Sequence, residues 1–147
     1  MPDQLTEFLF PDHGVRGAIA VMREGIGEMF GWRHYSEDVQ NLLGQAAAAM
    51  PLLASHSRYD GRMNLQFRGP GHLQMLVAQV ARSLRVRAMA KAAEGTGGSF
   101  EDLMGRGQLA LVLEPEQGSQ TYQAVVPVFG ANLAEALEHY FMRSEQL

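Results

Sequence analysis

Arg62–Val77, "RMNLQFRGPGHLQMLV", decides how the chain is read. Met63, Leu65 and Phe67 occupy every second position, with Asn64, Gln66 and Arg68 between them. That period of two belongs to a strand with one dry face, because successive side chains leave a strand on opposite sides. Gly69-Pro70-Gly71 then reverses the chain with residues suited to tight turns, and Leu73, Met75 and Val77 resume the alternation. The stretch therefore predicts an antiparallel hairpin. Downstream, Leu84, Val86 and Ala88 alternate with Arg85, Arg87 and Met89, which predicts a third strand with its arginines on the wetter face. "VRGAIAV" (Val15–Val21) reads as a short strand. "QLALVLEP" (Gln108–Pro115) and "TYQAVVPV" (Thr121–Val128) read as two more, joined by a polar connection containing Gly118 and apolar enough on both faces to imply burial.

Helices punctuate these strands. Ser36 is a capping residue, and Glu37 and Asp38 put negative charge in the first turn, where the helix dipole favours it. Val39, Leu42, Leu43, Ala46, Met50, Leu53 and Ala54 follow at spacings of three and four, giving one apolar face. Pro51 lacks an N–H and crowds the carbonyl four residues back, so a kink or division is expected near Ala47 to Met50. "AEGTGGS" has the composition of a mobile loop, and Ser99 with Glu101 and Asp102 opens a short helix ending near Gly105. Asn132 caps a last helix, to which Glu135 can reach back, and Leu133, Leu137, Tyr140, Phe141 and Ser144 share one side of it. Strands interrupted by helices, without regular alternation, make this an α+β fold, mainly an antiparallel sheet packed with helices.

At 147 residues the chain has the size of one domain, and its 46% apolar and 19% charged residues suit a globular protein. A net charge of −4 supplies no overall field to gather phosphates, which argues against nucleic acid as a partner. The longest apolar run, Ala46–Ala54, falls far short of the ~20 residues that span a bilayer. The start has acids and no basic stretch, unlike a secretory signal, so a cytoplasmic location is the simplest expectation. Absence of cysteine removes disulfides and thiolate chemistry from this chain.

Catalytic and metal-binding patterns do not emerge. The histidines, at 13, 34, 56, 72 and 139, are too far apart to share a helix turn. His139 beside Glu138 reads as a surface residue, since neighbours on a helix point in different directions. The "GPG" and "GTGG" stretches lack the lysine or the spacing of a phosphate cradle. No Gly-x-Ser-x-Gly elbow supports a nucleophile, and Glu114 and Glu116 flank a proline in a turn. No catalytic residue, metal ligand or cofactor is assigned. Nine methionines, with Met63, Met75 and Met89 spread over the sheet, read first as gap-filling core residues and otherwise as an adaptable apolar surface.

Five strings carry a resemblance: "DQLTEFLF" from Asp3, "VRGAIA" from Val15, "YDGRMNLQFRGPGHLQMLV" from Tyr59, "GQLALVLEPEQGSQTYQAVVPV" from Gly107 and "LAEALEHYFMRSEQL" from Leu133. In colinear order over the full chain they resemble Hsp33, a redox-regulated holdase family. The resemblance implies a cytoplasmic, dimeric, ATP-independent chaperone that holds unfolded or misfolded proteins and is not an enzyme. It further implies that residues 1–147 are the N-terminal core domain. In the family a linker and a zinc domain follow, whose Cys-x-Cys and Cys-x-x-Cys thiolates bind Zn²⁺ when reduced and form disulfides when oxidised. None of those cysteines is in this chain, so the expectation is a fragment without its redox switch, with "YFMRSEQL" as an interior junction. An incomplete sheet exposes an edge, and a homodimer, with or without exchanged elements, would cover it.

A holdase needs an apolar patch of more than a few hundred Å² with charge nearby. The sequence offers Met63, Leu65, Phe67, Leu73, Met75 and Val77 as the substrate-binding patch, with Arg85 and Arg87 as its polar rim. The alternative is that all six face the domain's own helices. In function, the corresponding alternative is a structural dimerisation core, with client binding mainly in the missing C-terminal part.

Overall fold

In the computed structural model, residues 3–24, 35–57, 61–115 and 121–144 are described. The expected strand start at Tyr59 and Asp60, the connection at Gly118, His34 and Glu116, and the last three residues of the "YFMRSEQL" junction lie outside them. Seven strands and three helices follow one another among the described elements. They are β1 (Gln4–Phe10), β2 (Val15–Val21), α1 (Glu37–Ser57), β3 (Gly61–Arg68), β4 (Leu73–Val80), β5 (Val86–Ala92), α2 (Phe100–Met104), β6 (Gln108–Pro115), β7 (Tyr122–Pro127) and α3 (Leu133–Ser144).

All pairings are antiparallel. β1 and β2 form a two-stranded sheet, and the other five form a sheet in the order β5-β4-β3-β6-β7. The α+β class and the central hairpin are as the sequence predicts. β1 is an addition: the turn at Pro11 to Gly14, with Gly14 at φ 61°, folds it back on β2. Proline, aspartate and a glycine free to take positive φ are turn chemistry, so the signal was there to read.

One face of the larger sheet is dry. Met63, Leu65 and Phe67 of β3, Leu76, Ala78 and Val80 of β4, Ala90 of β5, and Leu109 and Leu111 of β6 bury against Val39, Leu43, Ala46 and Met50 of α1. Leu103 and Met104 of α2 and Leu133, Ala136 and Tyr140 of α3 join the same cluster. α1 runs unbroken through Pro51. The proline deprives one carbonyl of its donor, but packing along the whole apolar face holds both halves in one helix.

Caps fix the other two helices. Ser99 Oγ accepts from the Asp102 N–H at 3.2 Å, and the Asp102 carboxylate accepts from the Ser99 N–H at 2.9 Å, closing a capping box. Asn132 Oδ1 accepts from the Glu135 N–H at 2.8 Å, while the Glu135 carboxylate reaches one residue further than expected, to the Ala131 N–H at 2.7 Å.

Four expectations are corrected. Met63, Leu65, Phe67 and Leu73 are core residues, not an accessible patch. Met75 and Val77 do not share their face: the β4–β5 register slips between Leu73 and Met75, and an extra residue in a strand sends the following side chains to the opposite side. β7, expected to be buried on both faces, is an edge strand with Tyr122 and Val125 exposed. Leu84 lies outside β5, in the turn closed by the Leu84 N–H to Ala81 carbonyl bond at 2.9 Å.

Phe67 is fully enclosed, so Phe67→Ala should cost about 3–5 kcal/mol by loss of transfer energy and creation of a cavity. Urea denaturation reads this directly; a loss below about 1 kcal/mol would show that Phe67 does not anchor the core.

Candidate binding surfaces

The glycine-rich loop holds no vacant anion seat. The Gly98 N–H donates to Asp38 Oδ2 at 2.8 Å, so a carboxylate from the first turn of α1 already occupies it. The Ala93 N–H donates to the His72 carbonyl at 2.9 Å, and buried Thr96 donates to the Ala93 carbonyl. These bonds pin a segment whose composition suggests mobility. Ser55 Oγ donates to the Leu52 carbonyl at 2.9 Å, an ordinary helical arrangement. His139 is not a free surface residue. Its ring packs on Phe129 at 4.6 Å, and its Nε2 is enclosed without a hydrogen-bond partner among the described residues.

Two surfaces are built for contact instead. On the β1–β2 hairpin, the register puts Gln4, Thr6, Phe8 and Phe10 on one face with Val21, Ile19, Gly17 and Val15. Its large apolar members are 37–56% exposed, and no charged residue shares the face. The Phe8 ring lies over Gly17, where any Cβ would collide with it, and meets Phe10 edge-on at 5.6 Å. On the opposite face Leu5, Glu7 and Ala18 line clefts shared with Leu52, Ala54 and Ser55, one of which Phe8 and Gly17 also border, and Leu9 is 56% exposed. The outer face thus groups five large apolar side chains, two of them aromatic, in partial contact with water.

The second surface is the reverse of the five-stranded sheet, whose centre is closed by buried Asn64, Ala110 and Val112 and whose margins are exposed. Cross-strand registers align Met89, Val77, Gln66, Ala110 and Val125 in one row from β5 to β7. A neighbouring row runs Arg87, Gln79, Asn64, Val112 and Gln123, and the row on the other side begins Lys91, Met75, Arg68 and Gln108. Gln79 Nε2 donates to buried Asn64 Oδ1 at 2.7 Å, which satisfies the polar group nearest the centre. Arg62 pairs with Glu114 across β3 and β6 at 3.3 Å, an exposed contact worth little by itself.

The family model described as Hsp33 protein matches residues 3–147. The chain belongs to the Hsp33 family. It is 38% identical to the 33 kDa chaperonin of Pseudomonas paraeruginosa over 148 residues, 99% of this chain and 50% of that protein. Identity to the 33 kDa chaperonin of Methylobacillus flagellatus is 36% over 147 residues, again 99% of this chain and 50% of the relative. The chain therefore spans about half the length of these curated relatives. The crystal structure of the 33 kDa chaperonin, a heat shock protein 33 homolog, from Thermotoga maritima matches with a TM-score of 0.85 at 24% identity. That match covers 99% of this chain and 52% of the other, and it shows the shared fold.

Within the Hsp33 frame, the sequence reading divides. Met75, Val77 and Arg87 meet on the reverse face of the sheet, Arg85 stands exposed just before β5, and the other four patch residues are core. The hairpin face was missed because β1 was not recognised, although Phe8 and Phe10 alternate with Glu7 and Leu9. The residues present do not suit zinc: the chain has no cysteine, and among the described residues no three His, Asp or Glu side chains gather around one point. No helix among them is long and apolar enough to cross a membrane.

Asp38→Ala should leave the Gly98 N–H without its acceptor and speed amide exchange there by about tenfold or more. Unchanged exchange at Gly98, measured by mass spectrometry or NMR, would show that Asp38 does not hold the loop.

Proposed function

We propose that the chain is a client-holding module of an ATP-independent chaperone, working in the cytoplasm, which captures unfolding proteins on the outer face of the β1–β2 hairpin. The observation that supports this is the cluster of Phe8, Phe10, Val15, Ile19 and Val21, exposed together on an uncharged face. Apolar segments of an unfolding protein gain by leaving water there, and the aromatic rings present broad contact area with few rotatable bonds. The relatives' name, 33 kDa chaperonin, agrees with a binding role. This module is a binder, not an enzyme. Because the chain has no cysteine, its holding has no thiol switch of its own.

The purified chain should suppress light scattering from a thermally unfolding client equally with and without dithiothreitol. Ile19→Asp places a charge in the middle of the face without touching the core, so it should raise the chain-to-client ratio for half suppression severalfold, with melting nearly unchanged. No suppression by the wild-type chain would move client binding elsewhere, leaving this part a structural core.

Self-association is the second part of the proposal, and the edges of the larger sheet favour it. β5 carries Arg87 and Lys91 along its edge, whereas β7, Tyr122–Pro127, carries no charge to deter pairing with another strand. Antiparallel pairing of β7 with β7 of a second copy would continue the sheet across a two-fold axis. Sedimentation at micromolar concentration should show a dimer; a monomer throughout would remove this part of the proposal and leave the holding function standing.

A further inference from the structure

The net charge of −4 conceals a separation of charge along the chain. Residues 61–93, which hold β3, β4 and β5, carry six of the 12 basic residues and none of the 16 acidic ones. That segment has a formal charge of +6 and the rest of the chain −10. Three of its arginines gather at one end of the sheet. The Ala81 N–H donates to the Arg85 carbonyl at 3.0 Å, which carries the β4–β5 pairing one residue past Val80 and Val86 and sets Arg85 on the same side of the sheet as Arg87. Arg62, one residue before Met63 on β3, stands in the same row with only Ala81 between it and Arg85. Same-facing neighbours on one strand are about 6.7 Å apart and next-but-one strands about 9.6 Å, so the three long side chains start from the corners of a triangle and reach a common ligand. Ala81 ends in a methyl group and leaves the space between them open. Arg85 and Arg87 are exposed, and among the described residues neither has an ion-pair partner. Arg62 pairs with Glu114 through Nη2, which leaves guanidinium donors for another anion. Like charges on neighbouring positions of a sheet repel, so the cluster does not serve the fold.

We propose that the corner formed by Arg62, Arg85 and Arg87 is a binding site for a linear phosphate polyanion, inorganic polyphosphate. A planar guanidinium meets phosphate oxygens with paired hydrogen bonds and keeps its charge throughout the physiological pH range. A chain of linked phosphates offers an anionic group to each of the three arginines at once, which a single phosphate does not. The acidic remainder of the chain repels a polyanion from its other surfaces and so directs it to this corner. The absence of rings decides between polyphosphate and single-stranded nucleic acid. Sites for single strands stack bases on aromatic side chains, and no row on this side of the sheet, from β5 to β7, contains an aromatic residue. Tyr122, the aromatic residue of β7, stands opposite Leu113, in the row of buried Met63 on the dry side. Condensed phosphate has no bases to stack. Arg82, in the turn between β4 and β5, borders the cleft that Glu7 lines and is not counted in the site. The inference does not depend on the hairpin holding clients.

Fluorescence anisotropy with the full 147-residue chain and end-labelled, long-chain inorganic polyphosphate tests it. Binding should saturate at about 50 mM salt and weaken steadily as salt rises, because each contact releases counterions from the polyanion. The double variant Arg85→Ala, Arg87→Ala should weaken binding about tenfold or more and lower the slope of log affinity against log salt by about one for each arginine removed. Arg85→Lys, Arg87→Lys keeps the charge and should retain most of the affinity. The control Arg68→Ala, Lys91→Ala removes two cations from the opposite end of the same face and should leave affinity within about twofold. All four side chains are exposed, so unchanged thermal melts are expected and show that the variants are folded. No binding of polyphosphate would overturn the inference. An equal loss in the control would also overturn it, by showing a diffuse attraction to the whole face. Tighter binding of a single-stranded oligonucleotide than of polyphosphate, at equal phosphate concentration, would assign the arginines to nucleic acid and overturn it as well.

Discussion

Everything in the molecule is arranged around keeping one face of β3 dry. Met63, Leu65 and Phe67 cannot be left in water, and a sheet cannot cover its own face. A long helix with small residues at its centre can lie close, and Ala46 and Ala47 let α1 do so. Two shorter capped helices close the ends of the same face, bringing Met104 and Tyr140 into one cluster with Phe67. Once the helices are committed to that side, the reverse of the sheet and the outer side of the β1–β2 hairpin are left to contact something else.

Those two surfaces differ in kind. The hairpin face is uncharged, its aromatic rings are held by each other and by Gly17, and it has no polar strip to discriminate among apolar partners. The reverse of the sheet mixes a narrow apolar row with cations and with the Asn64–Gln79 amide pair.

The sequence made much of this legible. Alternation at Met63, Leu65 and Phe67, the glycine-rich turn after Arg68, and the caps at Ser36, Ser99 and Asn132 all describe local geometry, and local geometry is what a sequence states directly. Three features escaped it for physical reasons. The slip between Leu73 and Met75 is a property of pairing with β5, and nothing in Leu73–Val77 alone marks it. Whether the Met63, Leu65 and Phe67 face is packed or accessible depends on where α1 lands, a tertiary fact. β7 is as apolar as a buried strand, and only its place at the end of the strand order makes it an edge. The hairpin is a different case: its turn residues and alternating aromatics were visible, and only the pairing of β1 with β2 gives them meaning.

The order of strands in the larger sheet also bears on how the chain reaches its native state. β3, β4 and β5 follow one another directly, as do β6 and β7, so each group assembles from contacts close in sequence. The junction of β3 with β6 is different: Arg68 stands opposite Gln108 only after about forty residues of intervening chain have been drawn into a closed loop, at a cost in entropy that local hairpins avoid. That single seam joins two quickly formed pieces and makes the assembly of one sheet contingent on a late, long-range encounter. Until it closes, β3 and β6 each present an unpaired edge, which is the arrangement another strand can pair with.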